Sequence, residues 1–141
     1  MEYILVSACL LGINCKYNGK NNYHQELLDY LKDKSVIPIC PEIYGGLKTP
    51  RDPSEIKGDK VITKEGQDVT ENFQRGAEET LKLAKEFNVK KAILKSKSPS
   101  CGYGEIYDGT FSDQLIKGNG ITAELLKQNG IEILTENNFR K

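Results

Sequence analysis

The chain has 141 residues, 38% hydrophobic and 28% charged, which is enough for one ordinary core. Its 20 basic residues balance its 20 acidic ones, so no net field points to nucleic acid or an anionic surface. No apolar run approaches the roughly 20 residues of a membrane span. The start, Met1-Glu2-Tyr3, lacks the basic segment and cleavage site of a secretory signal. A cytoplasmic location is therefore expected. There the four cysteines should be thiols, metal ligands or catalytic groups rather than disulfides.

Tyr3-Ile4-Leu5-Val6 is a near-continuous apolar run and predicts a strand covered on both faces, ending at Ser7-Ala8-Cys9. Residues 14–22 are rich in Asn, Gly and Lys and read as a loop. Leu27, Leu28 and Leu31 predict a short helix, with His24 solvated at its start. Val36-Ile37-Pro38-Ile39 predicts a second strand, and Pro38 puts it at a sheet edge or a bent end. Residues 44–58 read as a long loop. Lys60–Thr63 and Gln67–Val69 flank Glu65-Gly66 and predict a hairpin. Thr70 is the expected N-cap of the longest helix, over about 71–88, with Phe73, Ala77, Leu81 and Ala84 as its apolar stripe. A third buried strand is expected at Lys91–Leu94, then a loop over 103–113 with an Asp108-Gly109 turn. A helix over Ile121–Gln128, closed by Asn129-Gly130, precedes a last strand at 131–134. Alternation of this kind predicts a mostly parallel sheet with helices on both faces. The expectation is a single three-layer, Rossmann-like α/β domain over 1–141, with one hairpin excursion.

Three cysteines follow three expected strands. Cys9 comes after the first, Cys40 after the second, and Cys101 a few residues after the third. If the strands are parallel, all three meet at one carboxyl edge, where open α/β sheets bind ligands. No C-x-x-C spacing exists, so the chain holds neither a zinc-ribbon nor a ferredoxin motif. The bland alternative is three separately buried small hydrophobes. Thiolates without a neighbouring histidine favour a soft site, zinc or iron–sulfur. Cys15 could close such a site as a fourth ligand or stand by; standing by is the favoured assignment.

Near these thiols, Glu42 is a candidate proton-transfer group, or else the cap of a turn. Ser98 and Ser100 flank Cys101 as hydrogen-bonding groups or as turn formers. Arg51 lies between two prolines, where it could bind a planar ligand or simply pair with Asp52. Gly118-Asn119-Gly120 could offer amides to an anion but is no dinucleotide fingerprint.

The motifs SACLLG (7–12), CPE with GGL and PR (40–51), GQDVTENFQRGA (66–77), AILKSKSPSCG (92–102), IYDGTF (106–111) and GNGITAELL (118–126) together resemble the thiouracil desulfidase family. The resemblance implies an oxygen-sensitive [4Fe-4S] cluster on Cys9, Cys40 and Cys101, which an air-exposed sample can lose. It implies non-redox hydrolytic desulfuration of a thiolated nucleobase, 2-thiouracil-like, or of a related thioamide. Glu42 and Ser98 take the catalytic positions on this basis, while Ser100 and Arg51 are the candidate substrate-binding residues from their own chemistry beside the thiols. The implied partner is a small thiolated molecule, with no nucleic acid and no membrane, in a monomer or dimer. The further C-terminal domain of some relatives is not expected. The other classes kept open are a non-catalytic iron–sulfur or zinc-binding sulfur carrier or sensor, and a structural zinc on all four cysteines.

Overall fold

Two hydrophobic faces decide the architecture. In the computed structural model, which describes residues 2–140, strand β1 (Tyr3–Ser7) buries Leu5 on one side and Ile4 and Val6 on the other. A strand covered on both sides belongs inside a sheet. The sheet runs β2 (Ser35–Ile39), β1, β5 (Lys91–Leu94), β8 (Glu132–Thr135), with every pairing parallel. Helix α1 (Gln25–Leu31) packs Leu27 and Leu31 onto the face of Ile4, Val6 and Ile93. Helices α3 (Thr70–Glu86) and α4 (Ile121–Gln128) cover the other face through Ala84, Ala123 and Leu126. The expected three-layer α/β arrangement is therefore present. Pro38 lies on β2, the edge strand, where its missing donor breaks no ladder on the outer side. Among the described residues, no helix is long and apolar enough to cross a membrane.

The connection from β1 runs to β2 on one side, while β5 leads to β8 on the other. The order therefore reverses between β1 and β5, which opens a crevice beyond their carboxyl ends. Helix α2 (Pro41–Tyr44) begins immediately after β2, at the same edge.

Four local expectations are corrected. Residues 54–57 are not loop: β3 (Ser54–Lys57) pairs antiparallel with β4 (Lys60–Thr63) across Gly58-Asp59. Gly58 takes the positive φ of +65° that such a tight turn needs at its first residue. The expected pairing across Glu65-Gly66 shrinks to a single bridge, Ile62 to Asp68. The loop over 103–113 likewise contains β6 (Glu105–Tyr107), which pairs with β7 (Leu115–Lys117). Thr70 is the first residue of α3 rather than its cap. Its hydroxyl donates to Asp68 Oδ1 (2.6 Å) and accepts from Val61 N–H (2.9 Å), so it ties the helix to β4 instead.

α2 and α3 touch backbone to backbone. A Cβ on Gly76 would stand 1.9 Å from the Pro41 carbonyl oxygen, and one on Gly45 1.9 Å from that of Asn72. Neither neighbour is a side chain that could swing away. Gly76→Ala is therefore expected to cost about 1–3 kcal/mol by overpacking, with a Tm several degrees lower in thermal denaturation. An unchanged Tm would show that α2 floats on α3.

Candidate active site

The carboxyl edge gathers the cysteines. Cys9 lies in the 3-10 turn Ala8–Leu11 that follows β1, Cys40 caps α2 after β2, and Cys101 sits in the loop after β5. All three line one cavity of about 430 Å³, within the range of small-molecule sites. Each lies within electrostatic reach of the other two. Burial pushes the Cys101 thiol up to about 12 and raises Cys9 as well. Metal coordination reverses such a penalty by deprotonating the thiol. Asn22 Nδ2 donates to Cys9 Sγ at 3.3 Å, the kind of bond that supports a metal-bound thiolate.

Cys15 lines the same cavity and is buried. Cys40 Sγ donates to the Cys15 backbone carbonyl at 3.8 Å, and the interaction of the two neighbouring thiols raises the pKa of Cys15 and lowers that of Cys40. The structure thus makes it a thiol neighbour of Cys40 rather than a distant residue. Among the described residues, no three His, Cys, Asp or Glu side chains converge closely enough to hold a single ion. Thiols ranged around a cavity suit a multi-atom sulfur-liganded group better than a point ion. The donor set, all soft sulfur, agrees with that.

Beside the thiols, Glu42 is held at both oxygens. Arg51 Nε donates to Oε1 at 3.1 Å, with only 9% and 16% of the two side chains exposed. Ser100 Oγ donates to Oε2 at 3.1 Å. Arg51 is therefore paired with Glu42, not with Asp52. Its remaining bonds go to the carbonyls of Lys48 (3.1 Å) and Cys15 (3.0 Å) and to Thr49 Oγ1 (2.9 Å). Four of its donors are committed inside the protein, where they tie the Cys15 loop to Glu42.

The serines are ordered by proton count. Ser98 Oγ accepts from the N–H groups of Ser100 (3.1 Å) and Cys101 (3.0 Å), so both its lone pairs are used. Its own proton is left for Ser100 Oγ at 3.0 Å. Ser100 has one proton, which the carboxylate takes. The direction is Ser98 to Ser100 to Glu42. Ser100 is only 2% exposed, which makes it a buried link between the other two.

Gly118-Asn119-Gly120 does not form the expected anion cradle. The Gly118 and Gly120 N–H groups donate to Gly104 and Gly102, so the segment braces the Cys101 loop from behind. His24 is half-buried rather than solvated: its Nδ1 accepts from Leu27 N–H (3.2 Å) and its ring meets Phe139 edge-on.

Sequence reasoning missed Asn22, Lys95 and Glu136. Lys95 Nζ pairs with Glu136 Oε2 at 2.9 Å, and Ser96 N–H donates to Oε1 at 2.8 Å. Both charges act on the Cys9 thiol. A Lys directly after an apolar run and a Glu directly after the last strand carry no local motif. Burial works to raise the Glu136 carboxyl, but the Ser96 N–H and the Lys95 ammonium outweigh it and hold it low. A depressed carboxyl stabilises the fold above its unfolded pKa of about 4.3, and that contribution fades as pH falls through the folded value. Glu136→Gln is expected to cost about 1–2 kcal/mol at pH 7. The gap to wild type should close on acidification, as followed by urea midpoints; a gap constant with pH would remove the ionised pair from the account.

Comparison with known proteins places these features in context. A family model described as 2-thiouracil desulfurase matches residues 4–138. A Bacillus subtilis (strain 168) protein, described as uncharacterized protein YbbK, is 46% identical over 95% of both chains. The solved structure of the [4Fe-4S]-dependent thiouracil desulfidase TudS is similar at a TM-score of 0.94 and 42% identity. That match covers 99% of this chain and 94% of the other.

Proposed function

Because the chain belongs to the 2-thiouracil desulfurase family, we propose that it hydrolyses the carbon–sulfur double bond of a thiolated nucleobase or related thioamide, with Cys9, Cys40 and Cys101 holding a [4Fe-4S] cluster. The observation that carries this is the meeting of three strand-end thiols and the anchored Glu42 carboxylate around one cavity. When bound, the cluster supplies a soft Lewis-acidic iron matched to sulfur.

The protein's own groups handle water and protons. The reaction is C=S + H₂O → C=O + H₂S, with no change of oxidation state. Glu42 takes one proton from the water as its oxygen attacks carbon and gives it to the departing sulfur, and the second proton, released from that oxygen as C=O forms, follows through the same carboxylate so that sulfur leaves as H₂S. Arg51 holds the carboxylate in place during this transfer. The hydroxyls of Ser98 and Ser100 form the hydrogen-bonded chain that ends on Glu42 Oε2, which keeps that oxygen oriented and lets a proton be replaced. A small free base fits the cavity and the balanced surface charge better than a nucleic acid. A reducing, cytoplasmic setting suits the four free thiols.

The direct test is anaerobic reconstitution with iron and sulfide, followed by loss of 2-thiouracil absorbance and stoichiometric release of sulfide. Cluster-loaded protein that releases no sulfide from 2-thiouracil or simple thioamides would refute a desulfidase and leave a carrier or sensor.

A further inference from the structure

The hairpin of β6 and β7 ends in a tip whose backbone is held in an unusual shape. Phe111 has φ of +57° and Asp113 φ of +61°. A bulky residue rarely adopts that region unless its surroundings impose it, and such residues cluster at ligand sites. Here the imposing group is Glu55 on β3, 9% exposed. Its Oε1 accepts from the N–H groups of Gly109 (3.0 Å) and Phe111 (3.1 Å). Among the described residues, no cation lies within ion-pair distance of Glu55. A carboxylate buried without a countercharge is costly unless hydrogen bonds hold it, and these are backbone donors of the tip. The tip also rests on β3 directly: a Cβ on Gly109 would stand 2.8 Å from the Ile56 carbonyl oxygen.

What this fastening achieves is the placement of one ring. Phe111 belongs to none of the hydrophobic clusters of the fold. It lines the thiol cavity instead, in company with Glu42, Lys95 and the cysteines. An aromatic ring kept out of the core, at a strained position, beside a polar cavity has a face to offer a ligand.

We propose that Phe111 is the residue on which a planar heterocyclic substrate stacks, and that Glu55 is the positioning residue that sets the ring. The inference rests on the desulfidase reading above and narrows it. The site would select flat, conjugated thiones over open-chain thioamides, because only a flat ring gains from stacking.

The chain has no tryptophan, so Phe111→Trp places a single reporter at the tip. Titrating the cluster-loaded variant with uracil should quench its fluorescence to saturation. The saturated analogue 5,6-dihydrouracil, with the same polar edge but a puckered ring, should bind at least about tenfold more weakly. Phe111→Ala should raise KM for 2-thiouracil about ten- to hundredfold, the range of one base–aromatic stack. It should leave kcat/KM for thiourea within about twofold. Glu55→Gln should shift the same substrate ratio part of the way, and Phe111→Tyr should restore it. A Trp reporter blind to uracil, or a Phe111→Ala protein with the wild-type ratio of 2-thiouracil to thiourea, would overturn the proposal. If the wild type desulfurates neither compound, the desulfidase reading falls, while the uracil titration still decides the stacking.

Discussion

Cys9→Ala, Cys40→Ala and Cys101→Ala proteins, each purified without air, should contain iron and acid-labile sulfide only at background, while Cys15→Ala should keep both. Cys9 and Cys40 directly follow β1 and β2, and Cys101 lies in the loop after β5, so each thiol reaches the cavity from a separate segment. Cys15 differs because it lies in the loop six residues after Cys9 rather than after a strand of its own, and the bond it shares with Cys40 is made by its backbone carbonyl, which accepts from Cys40 Sγ at 3.8 Å. The Cys15→Ala protein keeps that carbonyl and is expected to lose only a thiol beside the ligand set. Desulfuration should vanish with the cluster in the first three variants, a loss larger than any other substitution in the site would cause. Full iron content in Cys101→Ala would overturn the ligand assignment. Iron lost in Cys15→Ala at wild-type thermal stability would move Cys15 into the ligand set.

Glu42→Gln should lower kcat by about a hundred- to ten-thousandfold, the usual worth of a general acid–base group. Iron and sulfide content should not change. The amide keeps nearly the same shape, can still accept from Arg51 Nε through its oxygen, and remains packed beside Ser100. It cannot carry a proton between water and sulfur. Iron and sulfide measured alongside kcat therefore separate chemistry from cluster retention. Unchanged kcat would remove Glu42 from the proton path. A parallel loss of iron would mean that Glu42 holds the site together instead of working in it.

Much of the frame was legible in the residues. Tyr3-Ile4-Leu5-Val6 reads as a doubly covered strand because both its faces are apolar, and Pro38 marks the edge because it lacks a donor. The cysteines could be assigned to one sheet edge from strand order alone. Lys60–Thr63 reads as a strand, but its partner at 54–57 and the hairpin at 105–117 could not be read, since these strands are three or four residues long and their faces mix charge with apolar groups. Such strands are stabilised by what they pack on, which local sequence does not state.

The sequence by itself determined the layer order, the strand ends that carry Cys9, Cys40 and Cys101, and the residue types available to the site. Periodicity and strand-end position are local properties, so they survive without coordinates. Only the tertiary structure decided that Arg51 pairs with Glu42, that the serine hydroxyls point in sequence toward that carboxylate, that Cys15 leans on Cys40, and that Glu55 sets Phe111. Each of these joins segments separated along the chain, by 9 residues for Arg51 and Glu42 and 56 for Glu55 and Phe111. Their partners are chosen by the packing of loops on the finished sheet, where hydrogen-bond direction and burial, rather than spacing, select which groups meet.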